Sequence, residues 1–198
     1  MVWIILPVLL MTPTDPATPA QEEHEYSSIR SSEQDAVRDL LNFPVRSPGG
    51  EVTGILDPFE RSGYPPVLLI SFVAEWCEHC NYEAPFLSEL EENWSGRGLG
   101  MVAVFEYTNP ETAEGFMKRY HLSMPYYLGQ IPGKFKDLRE TTTHYQLRTL
   151  LADERGWGTP FHLILIGGDK EKIYFAAGEF VREELIQRLE EWLPPQKR

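Results

Sequence analysis

The sequence predicts an α/β domain with a central mixed sheet flanked by helices, preceded by an N-terminal extension. Three observations predict it. The run 67–74 (VLLISFVA) is continuously apolar, partly β-branched and bounded by Pro65 and Pro66, as expected of a strand buried on both faces. Apolar runs and amphipathic helical patterns then alternate in β-α-β-α order. Near the end, 160–166 (PFHLILI) and 172–176 flank the turn Gly167-Gly168-Asp169-Lys170, which predicts an antiparallel hairpin.

In chain order, residues 2–11 (VWIILPVLLM) form an apolar run too short for the roughly 20 residues that cross a bilayer. Its composition reads as a signal-peptide core, although no Lys or Arg precedes it; a short buried or interfacial segment is the alternative. The Pro- and Thr-rich 12–21 (TPTDPATPAQ) reads as an extended linker, either a tether or a cleavage region. Ala36, Val37, Leu40 and Leu41 recur at helical spacing, predicting a short helix within 32–43 that ends before Pro44. A turn at 47–50, a short strand within 51–56 and a turn or helix start at Asp57-Pro58 follow.

After the central strand, Phe86, Leu87, Leu90 and Trp94 line one face of a helix whose other face carries Glu89, Glu91 and Glu92. A second strand at 99–107 leads to Asn109-Pro110, an N-cap and first-turn proline for a helix bearing Ala113, Phe116, Met117 and Tyr120. Periodicity is lost between 126 and 143. Leu147, Leu150 and Leu151 mark another helix stopping near Gly156. Val181, Leu185, Ile186, Leu189 and Trp192 form the apolar stripe of a terminal helix stopped by Pro194. The domains expected are therefore 1–21, a signal-like segment and linker; 22–65, an extension with a short helix; and 66–198, the main domain.

Composition narrows the function. The 198 residues carry 18 basic and 30 acidic side chains, a net charge of -12, with no Lys/Arg stripe, so nucleic acid is not expected as a partner. Two cysteines make neither a multi-disulfide framework nor a four-cysteine zinc site. They sit as Cys77-Glu78-His79-Cys80, directly after the central strand and at the start of the helix. Two intervening residues let the sulfurs close a disulfide across the first turn, and the free backbone N–H groups there favour a thiolate on Cys77. Cys77 is the expected nucleophile and Cys80 the resolving cysteine. His79, when charged, favours the Cys77 thiolate, whereas Glu78 and Glu83 oppose it. Glu83, three residues past Cys80, is placed to exchange a proton with one of the sulfurs or is an exposed helix carboxylate.

Two other readings of the pair stand beside this one. It is half of a metal site that His24, His121, His144 or His162 would complete, or an inert disulfide at a helix start. No metal and no cofactor beyond the cysteines is expected. His162, among apolar strand neighbours, reads as a hydrogen-bonded core histidine.

The motif Glu75-Trp76-Cys77-Glu78-His79-Cys80 after a buried strand, with Gly158-Thr159-Pro160 opening a later one, resembles the thioredoxin fold. The continuation Asn81-Tyr82-Glu83-Ala84-Pro85 is similar to the TlpA/ResA-like branch. The resemblance covers roughly residues 66–193 and implies an extracytoplasmic thiol-disulfide oxidoreductase, often a reductant of apocytochrome c or other exported proteins. It further implies that Pro160 is cis and lies against the cysteines, that Thr159 offers backbone hydrogen bonds to a bound peptide, that Trp76 contacts substrate, and that Glu83 tunes the pair. The partners implied are cysteine-containing substrate proteins and a thiol electron donor, with a membrane-bound donor and N-terminal membrane association as further expectations.

The chain departs from the family at three places. Ser71 stands where thioredoxins carry a buried acid, six residues before the first cysteine. His79 replaces the usual proline within the pair, as in oxidising DsbA and protein disulfide isomerase motifs, which leaves oxidase or isomerase activity as the alternative direction. The stretch 130–142 is longer than the family norm. A non-enzymatic binding module using the surface around Pro160 is the remaining alternative.

Overall fold

The computed structural model describes residues 24–167, 172–193 and 195. The apolar segment and linker at 1–21, the Gly168-Asp169-Lys170 part of the hairpin turn and the Pro194 stop lie outside the described residues.

The elements run β1 (Tyr26–Ser27), β2 (Arg30–Ser32), α1 (Asp35–Asp39), β3 (Pro44–Arg46), β4 (Val52–Gly54), α2 (Asp57–Ser62), β5 (Val67–Val73) and α3 (Glu78–Trp94). They continue with β6 (Leu99–Phe105), α4 (Pro110–Arg119), β7 (Tyr126–Leu128), α5 (Lys136–Arg139) and α6 (Thr143–Leu150). The chain closes with β8 (Phe161–Ile166), β9 (Ile173–Ala176), β10 (Glu179–Phe180) and α7 (Arg182–Trp192). Eight strands form one mixed sheet in the order β2-β9-β8-β5-β6-β7-β3-β4, with β5, β6 and β7 parallel and the other pairings antiparallel. β1 and β10 pair separately, in parallel.

β5 is central because every one of its residues is buried. Its alternating side chains feed two cores. Val67, Leu69 and Val73 pack with Phe86, Leu87 and Leu90 of α3, Phe116 of α4 and Leu185 and Leu189 of α7. Leu68, Ile70 and Phe72 pack on the opposite face with Val37 of α1, Leu147 of α6 and Ile55 and Leu56. Each such side chain removed from water contributes about 1.5–3 kcal/mol before entropy is charged against it.

Where the sequence predicts a helix within 32–43, only Asp35–Asp39 is helical. Beyond its C-cap Leu40, Asn42 is turned to tertiary partners: its side-chain amide donates to Asp57 Oδ1 at 2.9 Å while its side-chain carbonyl accepts from Leu56 N at 2.8 Å. Strands β2, β3 and β4, drawn from the 22–65 stretch, extend the sheet at both edges. β4 falls where a short strand within 51–56 is expected, whereas the three-residue β2 and β3 are too short to leave a periodic signal.

Candidate active site

β5 ends at Val73, and Cys77 is the N-cap of α3, so the motif lies at the strand-to-helix corner. Both cysteines are free thiols. Cys80 N donates to Cys77 Sγ at 3.3 Å, and the Cys77 thiol donates to Thr159 O at the same distance. A hydrogen bond from the Cys80 side chain outweighs burial and, reinforced by the bond from the Cys80 amide, lowers the Cys77 thiol to about 7. Burial pushes the Cys80 thiol well above its ordinary value, and the neighbouring Cys77 sulfur reinforces the shift. Cys77 is 6% exposed and Cys80 fully buried. The two sulfurs are thus unequal in both access and acidity.

The Thr159–Pro160 peptide bond is cis. Thr159 reaches the cysteines through its carbonyl, and Gly158 before it has φ +66°, in the left-handed region. The space a Cβ at Gly158 would fill is taken by the Arg148 guanidinium, so the loop rests on Arg148. Trp76 is half-buried. Its indole N–H donates to Tyr107 O at 3.3 Å, and its ring meets Trp157 edge-on at 5.8 Å.

Glu83 is 3% exposed and has no solvent-facing role. Its Oε1 accepts from Phe180 N at 2.7 Å and its Oε2 lies 2.8 Å from His162 Nε2. His162 Nδ1 is 3.0 Å from Ser71 Oγ, and the Phe180 ring stacks on the imidazole at 4.1 Å. With a proton on Nε2, His162 donates to Glu83, and its Nδ1 accepts from the Ser71 hydroxyl. Glu83 is one helical turn beyond Cys80. Its partners come from β8 and β10, and Ser71 of β5 faces His162 in the β5–β8 register.

His79 Nδ1 lies 2.8 Å from Glu179 Oε1, and His24 Nδ1 lies 3.0 Å from the other oxygen of that carboxylate. Glu179, 4% exposed, is therefore a site residue with no signal in the sequence: β10 is two residues long and only the fold brings it beside the motif. Glu78 is exposed and accepts from Tyr82 Oη at 3.4 Å. His144 Nδ1 lies 3.2 Å from the hydroxyl of Tyr107. Among the described residues no group of three or more His, Cys, Asp or Glu side chains is arranged to hold a metal ion, and no helix is long and apolar enough to cross a membrane.

No protein-family model and no curated protein matches the chain. Solved structures do. A secreted Mycobacterium tuberculosis disulfide oxidoreductase homologous to E. coli DsbE superposes with a TM-score of 0.52 at 16% identity, covering 76% of this chain and 96% of its own. A thioredoxin-like protein from Aeropyrum pernix gives 0.54 at 18% identity over 79% and 93%. A thiol:disulfide interchange protein of the thioredoxin family from Chlorobium tepidum gives 0.52 at 13% identity over 87% and 99%. With the β-α-β-α order, the closing hairpin and the Cys-x-x-Cys at the head of α3, these likenesses establish that the chain has the thioredoxin fold.

Proposed function

We propose that the protein is a thiol-disulfide oxidoreductase, acting outside the cytoplasm to reduce disulfides of exported proteins through Cys77 and Cys80. The observation that carries this reading is the inequality of the two thiols. Cys77, lowered to about 7, is substantially thiolate at neutral pH. That acidity is near thioredoxin's own, about 7, and far from the oxidant DsbA's, about 3.5, which favours the reducing direction.

In the reaction, the Cys77 thiolate attacks one sulfur of a substrate disulfide and expels the other as a thiolate, which takes up a proton. The substrate backbone lies along Thr159 and Pro160, against Trp76. Cys80 then gives up its proton and attacks Cys77 Sγ, releasing the second substrate thiol and leaving the Cys77–Cys80 disulfide. Glu83, oriented by His162 and the Phe180 amide, is the buried acceptor nearest in sequence to the resolving thiol, in place of the acid that Ser71 replaces. A thiol donor, membrane-bound in this reading, returns two electrons. His79 is the tuning residue within the pair, restrained by Glu179, and Glu78 adds negative charge at the rim. The signal-like 2–11 segment and the neighbours named as a secreted oxidoreductase and an interchange protein support the location and class.

The test is the reduction potential of the pair, read by equilibration against dithiothreitol or glutathione with alkylation. A value between about -270 and -230 mV is expected. One near -120 mV would transfer the protein to the oxidases, with His79 dominant. A partner retained by the Cys77→Ser/Cys80→Ser chain with no loss of phenotype would make it a binding module.

A further inference from the structure

The segment 130–142 holds one short helix, α5, contributes no strand to the sheet, and is nonetheless fastened down. Gln130 Oε1 accepts from Thr143 N at 2.6 Å, and Thr142 Oγ1 donates to Arg139 O at 2.8 Å and accepts from Tyr145 N at 3.2 Å. Arg139 Nη1 donates to Gly156 O at 2.6 Å. On this ledge Phe135 and Leu138 stand 53% and 47% exposed. They are two of the four large apolar side chains so exposed among the described residues, and they lie three residues apart on a single turn. Isolated exposed apolar groups need no explanation, but two placed three residues apart on a segment so fastened stand out.

The ledge adjoins the redox motif. Lys134 Nζ lies 3.7 Å from the centre of the Trp76 ring, one residue before Cys77, and the Arg139 guanidinium lies 5.7 Å from the ring of Trp157, which meets Trp76. Its charge opposes that of the whole chain. Against a net -12, the stretch 130–142 carries Lys134, Lys136 and Arg139 with Asp137 and Glu140, and Glu140 lies 3.6 Å from Arg139 Nη2, which leaves Lys134 and Lys136 as its outlying cations.

We infer that this ledge docks the stretch of substrate polypeptide flanking the reacting cysteine, and that it selects apolar residues with acidic neighbours. Phe135 and Leu138 cover the apolar side chains, and Lys134 and Lys136 face the carboxylates. The inference rests on the disulfide-exchange reading and names the substrate class for the same site.

Two synthetic peptides, each with one cysteine in mixed disulfide with glutathione, test it on the full chain. One flanks the cysteine with Phe, Leu, Asp and Glu; the other with Ser, Gly and Lys. The wild type is expected to favour the first in kcat/KM by about tenfold, and Phe135→Ser/Leu138→Ser to remove that preference through KM. Lys134→Glu/Lys136→Glu is expected to reverse it. Equal rates for both peptides in the wild type, or a preference unmoved by either double variant, overturn the ledge. So does a loss accompanied by a changed reduction potential, which would mean that the segment only shapes the motif. A dimer on gel filtration that Phe135→Ser/Leu138→Ser dissolves would assign the patch to a second copy instead. If the wild type exchanges with neither peptide, the disulfide-exchange reading falls and the ledge with it; if it exchanges with both alike, only the ledge falls.

Discussion

Two buried polar clusters flank the sheet beneath the cysteines, and they settle the cost of burial differently. On the α3 side, Glu83, His162 and Ser71 form one continuous chain, closed by the Phe180 amide. On the α6 side, Glu106, His144, Arg148 and Asp153 are equally buried, yet Glu106 Oε2 and Arg148 Nη1 have no hydrogen-bond partner. Burial drives Glu106 up to about 8 despite the opposing charge of Arg148, so it is largely protonated at neutral pH. Burial, with Arg148 beside it, holds His144 well below the ordinary histidine value, hence neutral. Asp153 stays ionised: burial opposes this, but bonds from Arg155 and Arg148 hold its carboxyl below the usual range. One cluster is satisfied by pairing and the other by neutralisation around a single ion-pair network. The first lies a helical turn from Cys80; the second carries the loop bearing Thr159 and Pro160, because the Arg148 guanidinium sits against Gly158.

The largest expected effect breaks the second cluster at its ion pair. Arg148→Met removes the donor 2.8 Å from Asp153 Oδ2 and the prop beneath Gly158, and is expected to cost about 3–5 kcal/mol in urea unfolding. A cost under about 1 kcal/mol would mean that Arg155 alone suffices for Asp153.

Neutralisation at Glu106 is read from its pH dependence. With its folded value raised from 4.5 to about 8, the folded chain keeps a proton between those pH values that the unfolded chain releases. Its contribution is therefore complete below about 4.5 and is lost as pH rises through about 8. Glu106→Gln is expected to flatten that loss, gaining up to a few kcal/mol relative to the wild type at high pH and little near pH 4. Parallel stability curves for the two chains between pH 4 and 9 would refute the assignment.

The smallest effect sharpens the contrast by unpairing the first cluster. His162→Leu leaves the Glu83 carboxylate with the Phe180 amide alone and is expected to cost about 1–3 kcal/mol. Glu83→Leu/His162→Leu is expected to recover most of that stability while slowing release of the mixed disulfide, because replacing both members of a buried pair is often nearly neutral. A double variant no more stable than the single one would show that pairing is not what makes the cluster tolerable.

Much of this site was legible locally. Strand, corner and helix follow from an apolar run meeting a helical stripe, and Cys77, Cys80 and Glu83 lie within seven consecutive positions of one helix start. His162 read as a core histidine among apolar neighbours, and it is fully buried. Its partners were not legible, since Ser71 lies 91 residues away and Glu83 79. Glu179 and Arg148 gave no signal either: one sits on a two-residue strand, the other on a helix whose periodicity marked only its leucines.

The sequence by itself determined the order of elements, the central strand and the placing of Cys77 and Cys80 at the head of α3, because hydrophobic period, proline punctuation and the spacing of two cysteines act over a few residues. Only the tertiary structure decided which carboxylate meets which histidine, which glycine leaves room for a guanidinium, and which edges the N-terminal strands extend. Those choices depend on register between strands far apart in the chain. Burial then makes each one expensive to leave unpaired, an energy that exists only once the sheet has closed around it.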